Sequence, residues 1–234
     1  MKSIGIICEY NPFHNGHIYH INKIKEMFPD SVIIVVMSGN FTQRGDASII
    51  NKWNKTKIAL NHNIDLVIEL PFIFTNQSAD TFAFGACSIL NYLKVDYLVF
   101  GSESDNIDYI KNIVNIEDDK KYQERVKELL DNGINYPTAL SKALKDFNIN
   151  LSDSSNDLLG ISYVKALKKL NSKITPITIK RTNNYNDKTL TKYITSATSI
   201  RENINKRSIK KYVPKDTYKC LKEKKYFIED YYPL

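Results

Sequence analysis

The sequence predicts an α/β chain: a Rossmann-like parallel sheet with helices on both faces and a helical C-terminal extension. Three observations carry that prediction. Short runs rich in Ile and Val recur through the first hundred residues. Runs of that length without polar alternation suit strands buried on both faces. Between them lie segments whose apolar residues return every three or four positions, as on a helix with one buried face. The strand-like runs end at Gly, Asn, Ser or Pro, the residues of loops and turns. Strand–helix alternation of this kind calls for a parallel sheet, because each crossover must carry the chain back to the edge where the previous strand began.

The elements follow in order. Ser3 to Cys8 (SIGIIC) reads as the first strand, and Asn11, Pro12, Asn15 and Gly16 form a loop. Ile18, Ile21, Ile24 and Phe28 recur at helical spacing over 16–28, and Pro29-Asp30 stops that helix. Val32 to Met37 (VIIVVM) is the second strand, and a loop runs from Ser38 through Gln43-Arg44-Gly45. Asn51 to Asn61 is helical; Trp53, the only tryptophan, is expected in the core, with Lys52 and Lys57 as scaffold. Asp65 to Leu70 is a third strand closed by Pro71, Ser78 to Leu93 a small-residue helix, and Asp96 to Phe100 a fourth strand ending in Gly101-Ser102-Glu103.

Residues 104–170 read as a helical insertion, with helices over Tyr122–Leu130, Thr138–Phe147 and Asp157–Leu170. Ile174 to Ile179 is a last strand, which Pro176 confines to an edge or a strand start because proline has no N–H for the ladder. Arg181 to Lys192 is polar and loop-like, and Ser196–Asn205 and Lys215–Lys224 are helices. The division expected is a domain over 1–190 and an extension over 191–234. Ligands of such sheets bind outside the carboxyl ends of the strands, so the loops 9–16, 38–45 and 101–103 should share one rim.

The 234 residues are long enough for a real core, and 42% apolar content excludes a disordered chain. The longest apolar run, Val32 to Met37, is too short to cross a bilayer, and the N-terminus reads poorly as a signal peptide. Three scattered cysteines form neither a disulfide framework nor a zinc spacing, so the reducing cytoplasm is the expected compartment. The net charge of +7 is unevenly placed: residues 1–160 carry 15 basic and 20 acidic side chains, residues 161–234 carry 18 and 6. That asymmetry points to a polyanion for the C-terminal part, or to a solvated lysine-rich face.

Two motifs carry chemistry. His14-Asn15-Gly16-His17 follows the first strand at the mouth of a helix. A helix start offers free N–H groups to phosphate, Gly16 permits close approach, and two imidazoles can donate to phosphoryl oxygens as charge builds. The alternatives are two surface histidines, or metal ligation by the evenly spaced His14, His17 and His20, for which no carboxylate or thiol stands at matching spacing. Thr195-Ser196-Ala197-Thr198-Ser199-Ile200-Arg201-Glu202 offers a Ser196 or Thr198 helix cap with Glu202 expected in the first turn, and Arg201 for an anion. Its alternative is a plain cap with a surface arginine.

HNGH at 14–17 and TSATSIR at 195–201 together resemble the nucleotidyltransferase superfamily, and Tyr212-Val213-Pro214 is similar to a segment that follows there. The string GIICEYNPFHNGHIYH at 5–20 resembles more narrowly the bacterial tRNA(Met) cytidine acetate ligases. SGNFTQRG at 38–45, DLVIELP at 65–71, FGSES at 100–104, NDLLGISYVKAL at 156–167 and IKR at 179–181 agree with it. The likeness runs from Gly5 to about Pro214, and Thr195 departs from the Ile common at that place.

The resemblance implies a nucleotidyltransferase-type sheet and ATP as substrate. It implies ATP contacts from Ile7, Cys8, Glu9, Tyr10, Asn11, Pro12, Phe13, His14, Asn15, Gly16, His17, Ile18, Tyr19 and His20, and from Gly101, Asn156 and Arg181. His14, His17, Ser199 and Arg201 are the expected catalytic set, the last two at the pyrophosphate end. Mg²⁺ is the expected companion of ATP, although no acidic motif names its ligands. The activity implied is activation of acetate to acetyl-adenylate and acetylation of the wobble cytidine of elongator tRNA(Met). Lys206, Arg207, Lys210 and Lys211 are the candidate tRNA contacts. The rivals are an adenylyl- or cytidylyltransferase acting on a small phosphorylated metabolite, and a non-catalytic RNA-binding module.

Overall fold

A computed structural model describes residues 1–151, 154–181 and 194–223. Strands β1 (Ser3–Cys8), β2 (Val32–Ser38), β3 (Leu66–Leu70), β4 (Tyr97–Ser102) and β5 (Thr175–Lys180) form one sheet in the order β3-β2-β1-β4-β5, every pair parallel. Register is set at the amino edge by carboxylates that take backbone donors. Asp96 accepts the Ser3 N–H at 2.7 Å and its hydroxyl at 2.9 Å, and Asp65 accepts the Ile33 N–H at 2.8 Å.

Alternate side chains of each central strand feed two cores. Ile4, Ile6, Ile33, Val35, Met37 and Val99 point to one face. There α1 (Asn15–Met27) buries Ile21 and Ile24, and α2 (Lys52–Leu60) buries Ile58 and Ala59. Each isoleucine so buried contributes roughly 1.5–3 kcal/mol. The opposite face takes Ile7, Ile34, Val36, Leu98 and Phe100. It is covered by α4 (Ala79–Tyr92) after the short α3 (Phe72–Thr75), and by α5 (Ile107–Glu117), α6 (Lys120–Asp131), α7 (Tyr136–Asp146) and α8 (Ser155–Lys169). The chain then gives α9 (Ala197–Glu202), a 3₁₀ turn (Arg207–Lys211) and α10 (Lys215–Lys222). Ile209 and Leu221 join the α1–α2 core.

Several expectations are corrected. The edge strands are not apolar on both faces, since Leu66, Glu69, Thr175 and Lys180 are exposed where the sheet ends. Residues 104–170 hold a further helix, α5, and Tyr163 and Leu167 of α8 join the core on that face of the sheet. Trp53 is 74% exposed, because α2 turns Lys55, Ile58 and Ala59 inward and leaves Trp53 outside. Glu202 closes α9, since Ser196 is its cap and Ser199 stands at the third position. The loop expected over Arg181–Lys192 falls, after Arg181, outside the described residues, as does Lys224 of the last predicted helix.

Candidate active site

The carboxyl ends of β1, β4 and β5 and the loop after β2 open onto one cleft of about 450 Å³, which the start of α9 also lines. His14 is the N-cap of α1, in extended backbone at φ −145° and ψ 174°. Its Nδ1 accepts the Gly16 N–H at 3.0 Å, while Nδ1 of His17 accepts the N–H of His14 at 3.1 Å. These bonds satisfy donors that a helix start leaves open. They also fix the tautomer: a ring nitrogen that accepts an amide proton is bare, so in each neutral ring the proton sits on Nε2. The two rings stack with centroids 3.8 Å apart.

Charge on these rings is strongly disfavoured. Burial, then Arg181 and Arg201, push the His14 pKa down to about 3. Burial first, then His14, Arg181 and His20, hold His17 well below its ordinary value. Burial and Arg181 bring His20 to about 4. At neutral pH the rim therefore presents imidazole N–H donors and not imidazolium.

Gly16 follows from this geometry. A Cβ there would stand 2.7 Å from Cε1 of His14, so the ring can fold back over the helix start only if the third motif residue has no side chain. Gly101 makes a similar allowance, since a Cβ would meet Cγ of Arg181 at 3.1 Å where that side chain crosses β4.

The second motif reaches the same cleft. Ser196 caps α9 by accepting the Ser199 N–H at 3.0 Å. Arg201 is held by the Asn11 carbonyl at 2.7 Å and the Thr198 hydroxyl at 3.1 Å, with the remaining guanidinium face toward the cleft it lines. The third wall is a network from β4, α8 and β5. Asn156 donates to Glu103 at 2.5 Å, and Arg181 donates to Asn156 at 3.2 Å. Asp157, 1% exposed, gathers the Ser102 hydroxyl at 2.5 Å and the Glu103 and Ser104 N–H groups at 3.2 and 3.1 Å.

A family model described as HIGH Nucleotidyl Transferase matches residues 1–234. This chain belongs to that family. Among similar proteins, the tRNA(Met) cytidine acetate ligase of Caldicellulosiruptor bescii is 45% identical over 100% of this chain and 62% of its own length. That of Clostridium novyi is 46% identical over 96% and 60%. The crystal structure of apo Thermotoga maritima TmcAL superposes with a TM-score of 0.90 at 36% identity, covering 95% of this chain and 56% of that one. The same protein bound with alpha-thio ATP gives 0.86. The fold is thus the nucleotidyltransferase α/β fold that the sequence predicts, and the chain spans about three-fifths of the length of these relatives.

In this HIGH nucleotidyl transferase, four residues expected at the nucleotide stand off the cleft wall. Pro12 and Phe13 are buried, Phe13 in the α1–α2 core. Ile18 packs against that core, and Asn15 donates to the carbonyls of Lys211 and Tyr212, both at 2.9 Å. The other positions between Ile7 and His20, with Gly101, Asn156 and Arg181, all line the cleft. Ser199 is fully buried and off the wall, its N–H donating to the Ser196 cap and its carbonyl accepting from Asn203 at 2.8 Å. Thr195 and Ser196 stand at the wall instead. Lys206, Arg207, Lys210 and Lys211 are exposed and away from the cleft.

Sequence reasoning put Glu103 on the ligand rim but missed its tie to Asn156 and the role of Asp157, because the partners lie about fifty positions apart. Nor was Lys55 singled out. Its only signal is that it stands three and four positions before Ile58 and Ala59, on the buried face of α2. No described helix is long and apolar enough to cross a membrane.

Proposed function

We propose that this chain carries out the ATP-dependent half of a tRNA(Met) cytidine acetate ligase, and that the complete reaction acetylates N4 of the wobble cytidine of elongator tRNA(Met). In the first step an acetate oxygen attacks the α-phosphorus of ATP, forming acetyl-adenylate and releasing pyrophosphate. In the second the cytidine N4 amine attacks the acetyl carbon, forming N4-acetylcytidine, releasing AMP and giving up one proton. The order follows from reactivity. The cytosine amine is delocalised into its ring, and acetate is a poor acyl donor until its oxygen belongs to a phosphate leaving group.

The observation that carries this reading is the His14–His17 cap, with both Nδ1 atoms occupied by backbone. Two fixed Nε2–H donors at a helix start suit the oxygens that gain charge as the α-phosphorus is attacked. Neutral rings donate without a proton leaving, so they hold charge in place and do not act as acids. Arg201, with Thr195 and Ser196 beside it, faces the departing pyrophosphate, and Arg181 and Asn156 hold the nucleotide from the β5 side. The relatives named for this activity and the TmcAL structure bound with alpha-thio ATP support the same assignment.

Mg²⁺ would accompany ATP. Among the described residues no three His, Cys, Asp or Glu side chains converge as a cage for it, and no step here runs through a metal. The exposed Lys206, Arg207, Lys210 and Lys211 are proposed as part of the tRNA footprint. The division at about residue 190 is proposed as the boundary between the nucleotide-activating part and the RNA-facing extension.

ATP–pyrophosphate exchange with and without acetate tests the proposal. Strict acetate dependence is expected. Exchange driven by a phosphorylated metabolite, with a dinucleotide product, would move the chain to the adenylyl- or cytidylyltransferases. No exchange with any acid, alongside salt-sensitive RNA binding, would leave an RNA-binding module.

A further inference from the structure

We propose that Lys55 is a positioning residue that clamps together the two loops walling the phosphate side of the cleft, by holding the main-chain carbonyls of Glu9 and Ser38 on one ammonium. The term phosphate side rests on the nucleotide reading above; the clamp itself does not.

Lys55 lies in the middle of α2 and is 1% exposed, the only lysine that is buried among the described residues. Its neighbours on that helix face are Ile58 and Ala59, and the core those residues join is apolar. An ammonium in such a place is expensive unless its protons are taken. Nζ donates to the Glu9 carbonyl at 2.9 Å and to the Ser38 carbonyl at 2.9 Å. Glu9 is the first residue beyond β1 and Ser38 the last of β2. From these two points the loops depart, one to His14 and the other through Gln43 and Arg44.

Further ties run between the same loops. The Glu9 carboxylate accepts the Gln43 N–H at 2.6 Å, and Asn11 Oδ1 accepts the Ile49 N–H at 2.8 Å. Lys55 is the innermost of the set and the only one that grips both strand ends at once. Asn11 in turn gives its carbonyl to Arg201, so a shift of this loop would reach both phosphate-facing motifs. Methionine has nearly the length of lysine but would leave both carbonyls without a donor. Arginine keeps two or more.

Burial holds the Lys55 pKa down to about 8, against the pull of Cys8, Glu9 and Glu69. Of these, the Cys8 thiol is pushed above the working range by burial, and Glu69 is paired with Lys52 of the same helix at 2.7 Å. The nearby histidines titrate in acid. Lys55 is therefore the group that changes charge in mild alkali, and the clamp should loosen there.

The test compares the parent chain with Lys55→Met and Lys55→Arg by amide hydrogen exchange, corrected for intrinsic rates, at pH 7 and pH 9. ATP affinity is measured beside it by calorimetry. In Lys55→Met, segments 9–14 and 40–49 should exchange at least tenfold faster while β2 and α4 keep their protection, and ATP affinity should fall at least tenfold. Lys55→Arg should restore both to within about threefold. The parent should loosen in the same segments between pH 7 and 9, and Lys55→Arg should not. Unchanged loop exchange, or loosening spread evenly over the whole sheet, would overturn the clamp. If the parent binds no ATP yet its loops respond as described, the nucleotide reading fails and the clamp stands. Should Lys55→Met not fold, the parent and Lys55→Arg at the two pH values decide the question.

Discussion

Two helix starts line the same cleft, and they are capped by different chemistry. At α9 the cap is Ser196, a residue that ordinarily does this work, and the group offered to a ligand is Arg201, one turn on. At α1 the cap is His14, a side chain outside the usual capping set, and the capping rings themselves line the cleft. An ordinary cap explains itself by stability. An unusual one, braced by a second histidine and a glycine that cannot carry a Cβ, points to a demand other than stability. The α1 end should thus govern chemistry, and the α9 end should govern anion affinity.

The largest expected effect breaks the α1 end. His17→Ala removes an Nε2–H donor and also the acceptor that orders the His14 N–H. Acetate-dependent pyrophosphate exchange should fall by about 10²-fold or more, roughly 3 kcal/mol of transition-state stabilisation. Unchanged exchange in a folded variant would remove His17 from the site and make the two helix starts alike.

Acid separates the two ends next. The folded pKa of His14 is about 3 and that of His20 about 4, both below the ordinary 6.5, and His17 is shifted the same way. The unfolded chain therefore takes up protons below pH 6.5 that the fold refuses. Stability from this source is complete above that pH and is lost as pH falls from 6.5 toward 4 and below, by up to about 1.4 kcal/mol per pH unit for each histidine. Thermal melts from pH 7 to 4 should show this slope, and His20→Asn should make it shallower. Ser196→Ala should instead lower stability by about 1 kcal/mol at every pH, because its cap carries no titrating group. Parallel curves for the two variants would contradict the burial of neutral histidine.

A smaller effect sharpens the α9 end. Arg201→Ala should weaken ATP use by about tenfold, on the scale of a lost charge-assisted hydrogen bond, and Arg207→Ala should not. Arg201 lines the cleft and is braced by Asn11 and Thr198, whereas Arg207 is exposed on the 3₁₀ turn. Equal losses in the KM for ATP would mean bulk charge and not a placed guanidinium.

These contrasts also mark what could be read without coordinates. The first four strand runs and the HNGH loop were legible because their signals are local: strand composition, helix period, and a glycine between two histidines. The register of α2 was harder. A lone tryptophan reads as core and a lysine as surface, and the structure reverses both, because the phase of the helix puts Lys55 with Ile58 and leaves Trp53 outside. The Asp157 network could not be read, since Ser102 lies 55 positions from its acceptor and no period links them. The burial of Ser199 was hidden for a different reason. The motif named a hydroxyl, but the cap geometry of Ser196 turned that position into the core.

The smallest expected effect on the chemistry concerns the exposed basic turn. Lys206, Arg207, Lys210 and Lys211 stand clear of the cleft, and Asn15 of α1 ties to their turn by donating its side-chain amide to the Lys211 carbonyl and its N–H to the Tyr212 carbonyl. Reversing all four to Glu leaves those carbonyls in place, so acetyl-adenylate formation should stay within about twofold of the parent. RNA binding is another matter. Each phosphate neutralised by a basic side chain releases condensed counterions, so affinity falls with salt at a slope of about −0.7 to −0.9 per contact. Four reversed charges should weaken tRNA binding steeply and flatten that slope by about three units. Filter binding at two salt concentrations, run beside the pyrophosphate assay, separates the outcomes. A parent-like slope would show a solvated lysine face and would place the RNA contacts elsewhere. A lost slope together with lost exchange would show that the turn reaches α1 through Asn15 after all, and that the activating and RNA-facing parts are one unit.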